Sequence, residues 1–491
     1  MKYCTLEEFE NKVMKKDNEN EKYYILSPNF YSINNYGLFL NRLSIFDKKE
    51  RGTISKDKEI VDKILNILKN GKSLEEKKSS EENKSSEEKK PSEENKSSEE
   101  NKPSEENKSS EKKESSEENK PSEEDKSSEE KKIILEKKEK LEKLGVSEFE
   151  KKAIGSIMGM AIGDAMGSTY EFRDVDYDTI DLFDMERENE GAFNLEPGQW
   201  TDDTSMGLCL ADSLLVNNGE LIIKDLMCRF LAWNSGGYNN AFRFNYKYDL
   251  HPRQSVGLGG NISMALYSYY NDQKDETKAG DENTSGNGSI MRNAAIPICF
   301  YYDINKAREM AKKQSLCTHQ GLEAKECCSL LTFIIINIFE GKNLKEILEN
   351  LGNDFKTDVE SVQSLAKSEK NTDWNWKQEK YRYNEERAWR NPGYIGAYAM
   401  DNMAMSLHII YNTTNFKDAI IKAVNTRGDA DSVASVVGQI AGAYYPIEEI
   451  PSQWIERINK WDDGEIALRG YMLSRLHSKD SFYNKNNKNN I

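Results

Sequence analysis

Two short stretches of the chain concentrate hard oxygen ligands. "TDDTSM" at 201–206 sets Thr201, Asp202 and Asp203 at the start of an apolar, helix-like run. "GDADSVASVV" at 428–437 sets Asp429, Asp431 and Ser432 before another. Adjacent carboxylates repel, and the repulsion grows as the surroundings dry. Four of them brought together would call for a cation. With no thiolate or imidazole among the donors, the chemistry selects Mg²⁺, Mn²⁺ or Ca²⁺ over zinc or copper. Asp429-Ala430-Asp431 starts like an EF-hand loop, but Val433 and Ala434 stand where that loop needs a ligand and a glycine. Four carboxylates overcharge a single Mg²⁺, and two ions roughly 3.5–4 Å apart balance them better. The competing account is helix capping, because aspartates in a first turn satisfy free N–H groups and the helix dipole. The two roles are compatible.

Between the clusters lies "SGNGSIMRNAAIP", in which Gly286 and Gly288 flank Asn287 ahead of Ser289, Met291 and Arg292. A small-residue loop opening a helix exposes N–H groups that can cradle phosphates. It is no P-loop, since the GK[ST] sequence is missing, and an ordinary turn is the plainer account. Upstream, "GSIMGMAIGDAMGSTYEF" carries glycines at 155, 159, 163 and 167 on one helical stripe that ends in Asp164 and Glu171. The stripe lets another helix or a ligand approach the backbone closely, at a cost in helix propensity.

The elements that must position these residues read as helices. Ser147 and Glu150 have capping-box spacing, and Phe149, Ala153, Ile157 and Ala161 recur every four residues as an apolar face. Helical periods then dominate 205–217, 219–233, 305–314, 320–340, 343–351, 399–411, 415–424 and 432–444, with few alternating runs. The expectation is one all-α domain over 145–477, large enough to bury a sizeable core. Residues 478–491 form a polar tail. "KKIILEKKEKLEKL" reads as a further helix broken at Gly145.

Residues 73–132 are a hexad repeat of "KSSEEN" type, without an aliphatic or aromatic residue between Leu74 and Ile133. Such a segment cannot offset its ordering entropy by burial, so it is expected to be a disordered linker, and it offers no coiled-coil seam. Residues 1–72 hold an aromatic stretch and the amphipathic "KEIVDKILNILKN", a small module or docking segment with no chemical motif. A chain starting near Lys132 is therefore expected to fold and turn over unchanged.

With 85 acidic against 69 basic residues, net −16, the balance disfavours binding to nucleic-acid phosphates or to an anionic membrane. The longest apolar run, "LLTFIIINIF", is interrupted by Asn337 and too short to span a bilayer. Seven cysteines without CxxC spacing fit a reduced compartment, so a cytoplasmic protein is expected, with the nucleus also compatible. Four scattered histidines disfavour a His-rich zinc site.

Six blocks in order resemble the ADP-ribosylglycohydrolase family, which includes the ADP-ribosylarginine and ADP-ribosylserine hydrolases and the dinitrogenase-reductase activating glycohydrolase. They are "GMAIGDAMGSTYEF", "PGQWTDDTSMGLCLADSL", "GLGGNISMAL", "GNGSIMRNAAIP", "CTHQ" and "NTRGDADSVASVVGQIAGAYY", together covering roughly 150–446. The resemblance implies an all-α, compact orthogonal helical bundle with a dinuclear Mg²⁺ (or Mn²⁺) cleft. It assigns Thr201, Asp202, Asp203, Asp429, Asp431 and Ser432 to the metals. Glu171 falls where serine-specific members carry a mobile glutamate. The Gly286–Arg292 loop, with Asn287, Gly288, Ser289 and Met291, falls where the family contacts pyrophosphate and distal ribose. His319 matches a Thr-His near substrate, and Tyr398 an aromatic beside adenine. Arg427 and Ser432 depart from the family's commoner glycine and threonine. A glycine at 427 implies a left-handed backbone or a close approach there.

The implied function is metal-dependent hydrolysis of the bond between ADP-ribose and a protein side chain or related acceptor. Asp202 or Asp203 would take a proton from water, and Glu171 would orient substrate or assist the leaving group. The alternative is an ADP-ribose-binding module that has lost turnover. "GDAMGSTYE" leans slightly towards the serine-type members.

Overall fold

The computed structural model describes residues 48–70, 123–173, 191–241, 255–381 and 395–476, apart from 273, 275–276, 278–279, 282 and 463. The expected disordered linker over 73–122, the aromatic stretch before residue 48 and the polar tail over 478–491 lie outside the described residues.

Among the described residues the regular structure is helical, with one isolated bridge between Gly286 and Tyr398. The N-terminal helices are α1 (Lys48–Lys69), α2 (Glu123–Leu144) and α3 (Glu148–Gly167). The first of the two acid clusters opens α4 (Asp202–Val216), followed by α5 (Ile223–Gly236) and α6 (Gly260–Asp272). Then come α7 (Ala295–Cys299), α8 (Ile304–Leu316), α9 (Leu322–Phe339), α10 (Leu344–Asp354) and α11 (Glu360–Lys367). The chain ends through α12 (Ala399–Tyr411), α13 (Phe416–Asn425), α14 (Ala430–Tyr444), α15 (Ser452–Asp462) and α16 (Glu465–Arg475).

The centre of the fold is the antiparallel pair α3 and α14. A Cβ on Gly155 would lie 2.1 Å from the Gly442 oxygen, one on Gly159 2.1 Å from the Gly438 oxygen, and one on Gly163 2.0 Å from the Ala434 oxygen. The stripe is therefore a backbone-to-backbone seam, which a side chain would force apart. The expected capping box is present: the Ser147 side chain accepts from Glu150 N–H, and Glu150 accepts from Ser147 N–H at 2.7 Å. The expected one-sided apolar face is not. From Ala153 to Gly167 α3 is buried on every side, because α14 and α16 both pack on it.

The hexad repeat does not stay irregular to residue 132, for α2 starts at Glu123. Glu and Lys are good helix formers, and acidic residues suit a first turn, so a helix anchored by the apolar residues after Lys132 propagates backwards into the repeat. Helices α6, α7, α11, α15 and α16 were not legible as periods.

The N-terminal segment docks on the bundle. Val61, Ile64, Leu65 and Leu68, spaced as one helical face, are at most 2 % exposed, against α15 and α16. Ser452 Oγ donates to the Leu68 carbonyl at 2.9 Å, and Lys137 Nζ donates to Ser452 Oγ at 3.1 Å. Removing residues 1–131 thus exposes core. The shortened chain is expected to melt roughly 5–10 °C lower, while keeping its affinity for ADP-ribose. Thermal melts and calorimetry on both chains check this, and an unchanged melting temperature would show α1 to be dispensable.

Candidate metal centre and cleft

The α3–α14 seam brings the two acid clusters together. A Cβ on Gly167 would lie 2.4 Å from the Asp431 Cα, so the C-terminal end of α3 meets the first turn of α14. Asp164, three residues before Gly167, is 0 % exposed and reaches across to α4. Its carboxylate accepts from Thr201 N–H at 2.9 Å, from Thr204 N–H at 2.9 Å and from Thr201 Oγ1 at 2.7 Å. Asp164 is therefore the cap of α4, supplied from another helix.

At the first cluster the capping role therefore falls to Asp164. Thr201 makes no side-chain capping bond, and Asp203 Oδ1 is buried without a hydrogen-bond partner. The second cluster behaves alike. Asp429 makes no side-chain cap, and its Oδ2 instead accepts from Asn287 Nδ2 at 2.9 Å. Asp431 Oδ1 accepts from the neighbouring Ser432 N–H at 2.9 Å.

The acids converge in two groups. Carboxylate oxygens of Asp164, Asp203 and Asp431 lie within 4.8 Å of one another, as do those of Glu171, Asp429 and Asp431. Asp431 belongs to both. Burial first, and the neighbouring carboxylates second, hold Asp202, Asp203 and Asp431 well above the ordinary aspartate range. Burial, then Asp429, pushes Glu171 up to about 9. Buried like charges with an orphaned oxygen at both Asp203 and Glu171 fit a cation, which would reverse this logic and keep the acids ionised. The donors are oxygens alone, so they suit a hard divalent ion. Thr201 gives its hydroxyl proton to Asp164, which leaves its lone pairs for such an ion.

The loop before α14 needs unusual backbone. Arg427 has φ +50° and Gly428 φ +59°, so the left-handed conformation implied at 427 is adopted by arginine, at about 1–2 kcal/mol.

A cleft of about 750 Å³ opens over the acids. Glu171, Asp202, Asp203, Asp429, Asp431 and Ser432 line it, as do Gly286, Asn287, Gly288, Met291, His319 and Tyr398. The Ser432 hydroxyl lies 3.6 Å from Met291 Sδ, and the Tyr398 hydroxyl donates to Glu323.

Three predicted residues lie behind the wall. Thr201 is 0 % exposed and does not line the cleft. Ser289 is 0 % exposed, and its hydroxyl is engaged with Ser315 at 2.7 Å. Arg292 is also 0 % exposed and does not line the cleft. Its guanidinium donates to Gln314 Oε1 at 3.0 Å, the Gln314 carbonyl at 3.0 Å and Thr318 Oγ1 at 2.7 Å, over the Phe230 ring. These internal partners compensate a charge that would be costly to leave buried and unpaired.

Arg292 acts on the cleft through His319. Thr318 Oγ1 lies 2.9 Å from His319 Nδ1, and a hydroxyl that accepts from Arg292 can donate there, leaving Nε2–H to face the cleft. Burial first, then Arg292, depresses the imidazole to about 3, which keeps it neutral.

The Gly286–Arg292 segment also differs from a helix-opening cradle. It is a run of turns, α7 begins only at Ala295, and the Asn287 N–H is committed to the Ala397 carbonyl at 3.0 Å. Gly288 is required for space rather than for φ. A Cβ there would lie 2.9 Å from His319 Cε1 and 3.0 Å from Ile262 Cδ1. Gly288→Val should displace the imidazole and weaken free ADP-ribose by at least about tenfold, with the melting temperature little changed. Calorimetric titration against melting curves checks this, and unchanged affinity in a folded variant would remove the loop from the site.

Sequence reasoning missed Asp164 as a site residue, because its role depends on the approach of two helices. It also left unassigned Gly257 to Ile262, Phe172 and Phe193, all on the cleft wall. "GLGG" was the available signal, since a Cβ on Gly257 would meet Asp202 Oδ1 at 2.1 Å.

The sequence profile of the family described as ADP-ribosylglycohydrolase matches residues 146–481. An ADP-ribosylarginine hydrolase Tri1 of Serratia proteamaculans is 30% identical over 312 residues, covering 64% of this chain and 76% of that protein. The ADP-ribosyl-[dinitrogen reductase] glycohydrolase of Rhodospirillum rubrum is 25% identical over 331 residues, 67% of this chain and 97% of that one. A solved ADP-ribosylglycohydrolase-related protein complex superposes with a TM-score of 0.50 at 27% identity, covering 67% of this chain and 100% of its own. The chain belongs to the ADP-ribosylglycohydrolase family. It is an enzyme that hydrolyses the glycosidic bond of ADP-ribose.

Proposed function

We propose that the protein removes ADP-ribose from modified arginine side chains of proteins, with Mg²⁺ or Mn²⁺ held by Thr201, Asp202, Asp203, Asp429, Asp431 and Ser432. The observation that carries the metal reading is the convergence of buried acids in two groups, with Asp203 Oδ1 and Glu171 Oε2 left without a hydrogen-bond donor. The arginine linkage draws support from the names of two relatives at 30% identity, both ADP-ribosylarginine hydrolases.

When bound, such ions neutralise the acids, orient ribose hydroxyls and lower the pKa of water. The chain's own groups do the rest. Asp202 or Asp203 accepts the proton of a water that attacks the anomeric carbon. The new bond is carbon to water oxygen, the broken bond is carbon to guanidine nitrogen, and the departing nitrogen takes up a proton. Glu171, beside Asp429 and Asp431, orients the substrate or assists that departure. His319 offers Nε2–H to the phosphate oxygens, and Tyr398 flanks the adenine.

Incubating the full chain and Mg²⁺ with mono-ADP-ribosylated arginine and serine peptides tests this reading. Chromatography should show ADP-ribose and unmodified peptide in equal amounts from the arginine substrate. Calorimetric binding of ADP-ribose without release from either peptide would make the protein a binding module instead. Release from serine alone would overturn the linkage.

A further inference from the structure

The cleft wall carries an aromatic pair for which the account of ADP-ribose binding has no use. Phe172 follows Glu171 directly, lines the cleft and is 49 % exposed. Its backbone is left-handed, φ +61°, which is rare for a bulky residue. Its N–H donates to the Gly428 carbonyl at 2.6 Å, one residue before Asp429. The backbone that carries the ring is thereby tied to the acid group of Glu171, Asp429 and Asp431, with Glu171 adjacent in the chain and Asp429 next to the accepting carbonyl. Phe193, also on the cleft wall, meets it edge-on with centroids 6.4 Å apart and an interplanar angle of 69°. Both rings come from the α3–α4 connection, whereas Gly286, Gly288, His319 and Tyr398 come from other segments.

We propose that Phe172, braced by Phe193, is the acceptor-side specificity residue, its ring stacking on the guanidinium of an ADP-ribosylated arginine. This rests on the arginine-linked hydrolase reading above. The ribose lies over the acids in that reading, so a wall bordering the acids from a separate segment faces what is attached to the ribose. An aromatic face among carboxylates favours a flat cation, and guanidinium stacks on such faces better than an ammonium does. A serine O-glycoside offers neither charge nor plane. Stored backbone strain at a cleft residue fits a functional constraint.

The test compares wild type, Phe172→Leu and Phe193→Leu on a mono-ADP-ribosylated arginine peptide, with free ADP-ribose as the binding probe. Leucine keeps apolar bulk and removes the π-face. Phe172→Leu should raise KM about 2–5-fold, the loss of one exposed cation–π contact, with kcat and the Kd of ADP-ribose unchanged. Phe193→Leu should shift KM in the same direction, and it serves as the deciding variant if Phe172→Leu fails to fold. An unchanged KM, or an equal loss of affinity for free ADP-ribose, would overturn the proposal. Wild type that releases nothing from the arginine peptide would instead mark failure of the hydrolase reading.

Discussion

Asp203→Asn is expected to cut turnover by about 10²–10³, the usual worth of one oriented electrostatic contact in a dry site. Asp203 is 1 % exposed, its Oδ1 has no hydrogen-bond partner, and it shares a group with Asp164 and Asp431. The amide keeps the volume and removes the charge that a cation would need. A merely structural role predicts that the variant melts lower. The metal role predicts otherwise, because deleting one of several repelling carboxylates relieves strain in the stripped protein. Its melting temperature without metal should equal or exceed that of wild type. The stabilisation by added Mg²⁺, about 2.7 kcal/mol at a hundredfold excess over Kd, should shrink or vanish. A variant that melts lower but keeps its full response to Mg²⁺ would remove Asp203 from the ligand set.

Gly159→Val is expected to abolish folding of the domain, a loss above about 4 kcal/mol. Its Cβ would lie 2.1 Å from the Gly438 oxygen and 3.3 Å from Phe416, in the middle of the α3–α14 seam. No rotamer relieves a clash with backbone, so the helices would have to separate. Separation would also pull Asp164 and Glu171 away from Asp429 and Asp431, and so couple stability to the site. Circular dichroism melts and Mg²⁺ titration of any soluble fraction check this. A melting temperature within about 4 °C of wild type, equivalent to only ~1–2 kcal/mol, would show that the seam does not set the spacing of the acids.

Much of this arrangement was legible from local pattern. Ser147 and Glu150 mark the start of α3 correctly because a capping box is complete within four residues. The two acid clusters stood out because like charges at helix starts need an explanation. What escaped depends on tertiary approach. Asp164 reads as an acid within a glycine stripe, yet it caps a helix that begins at Asp202. Arg292 reads as a phosphate contact beside small residues, yet Gln314 and Thr318 satisfy it inside the core. Gly288 reads as part of a small-residue loop or an ordinary turn, and its closest constraint is the imidazole of His319 beside it. Helix α6 was hidden by its glycine-rich start and its Ser and Tyr content, which are poor local helix signals. The docking of α1 was invisible because a hydrophobic face does not name its partner.

If the oxygen-only acid clusters work as a cation site for hydrolysis, turnover must depend on the ion. The most direct measurement is release of ADP-ribose from a mono-ADP-ribosylated arginine peptide by the full chain, before stripping, after exhaustive EDTA treatment, and after Mg²⁺ or Mn²⁺ is restored. The untreated protein should release ADP-ribose, lose that activity on stripping, and recover it with either ion but not with Na⁺ at equal ionic strength. Full release by the stripped protein would contradict the cation site.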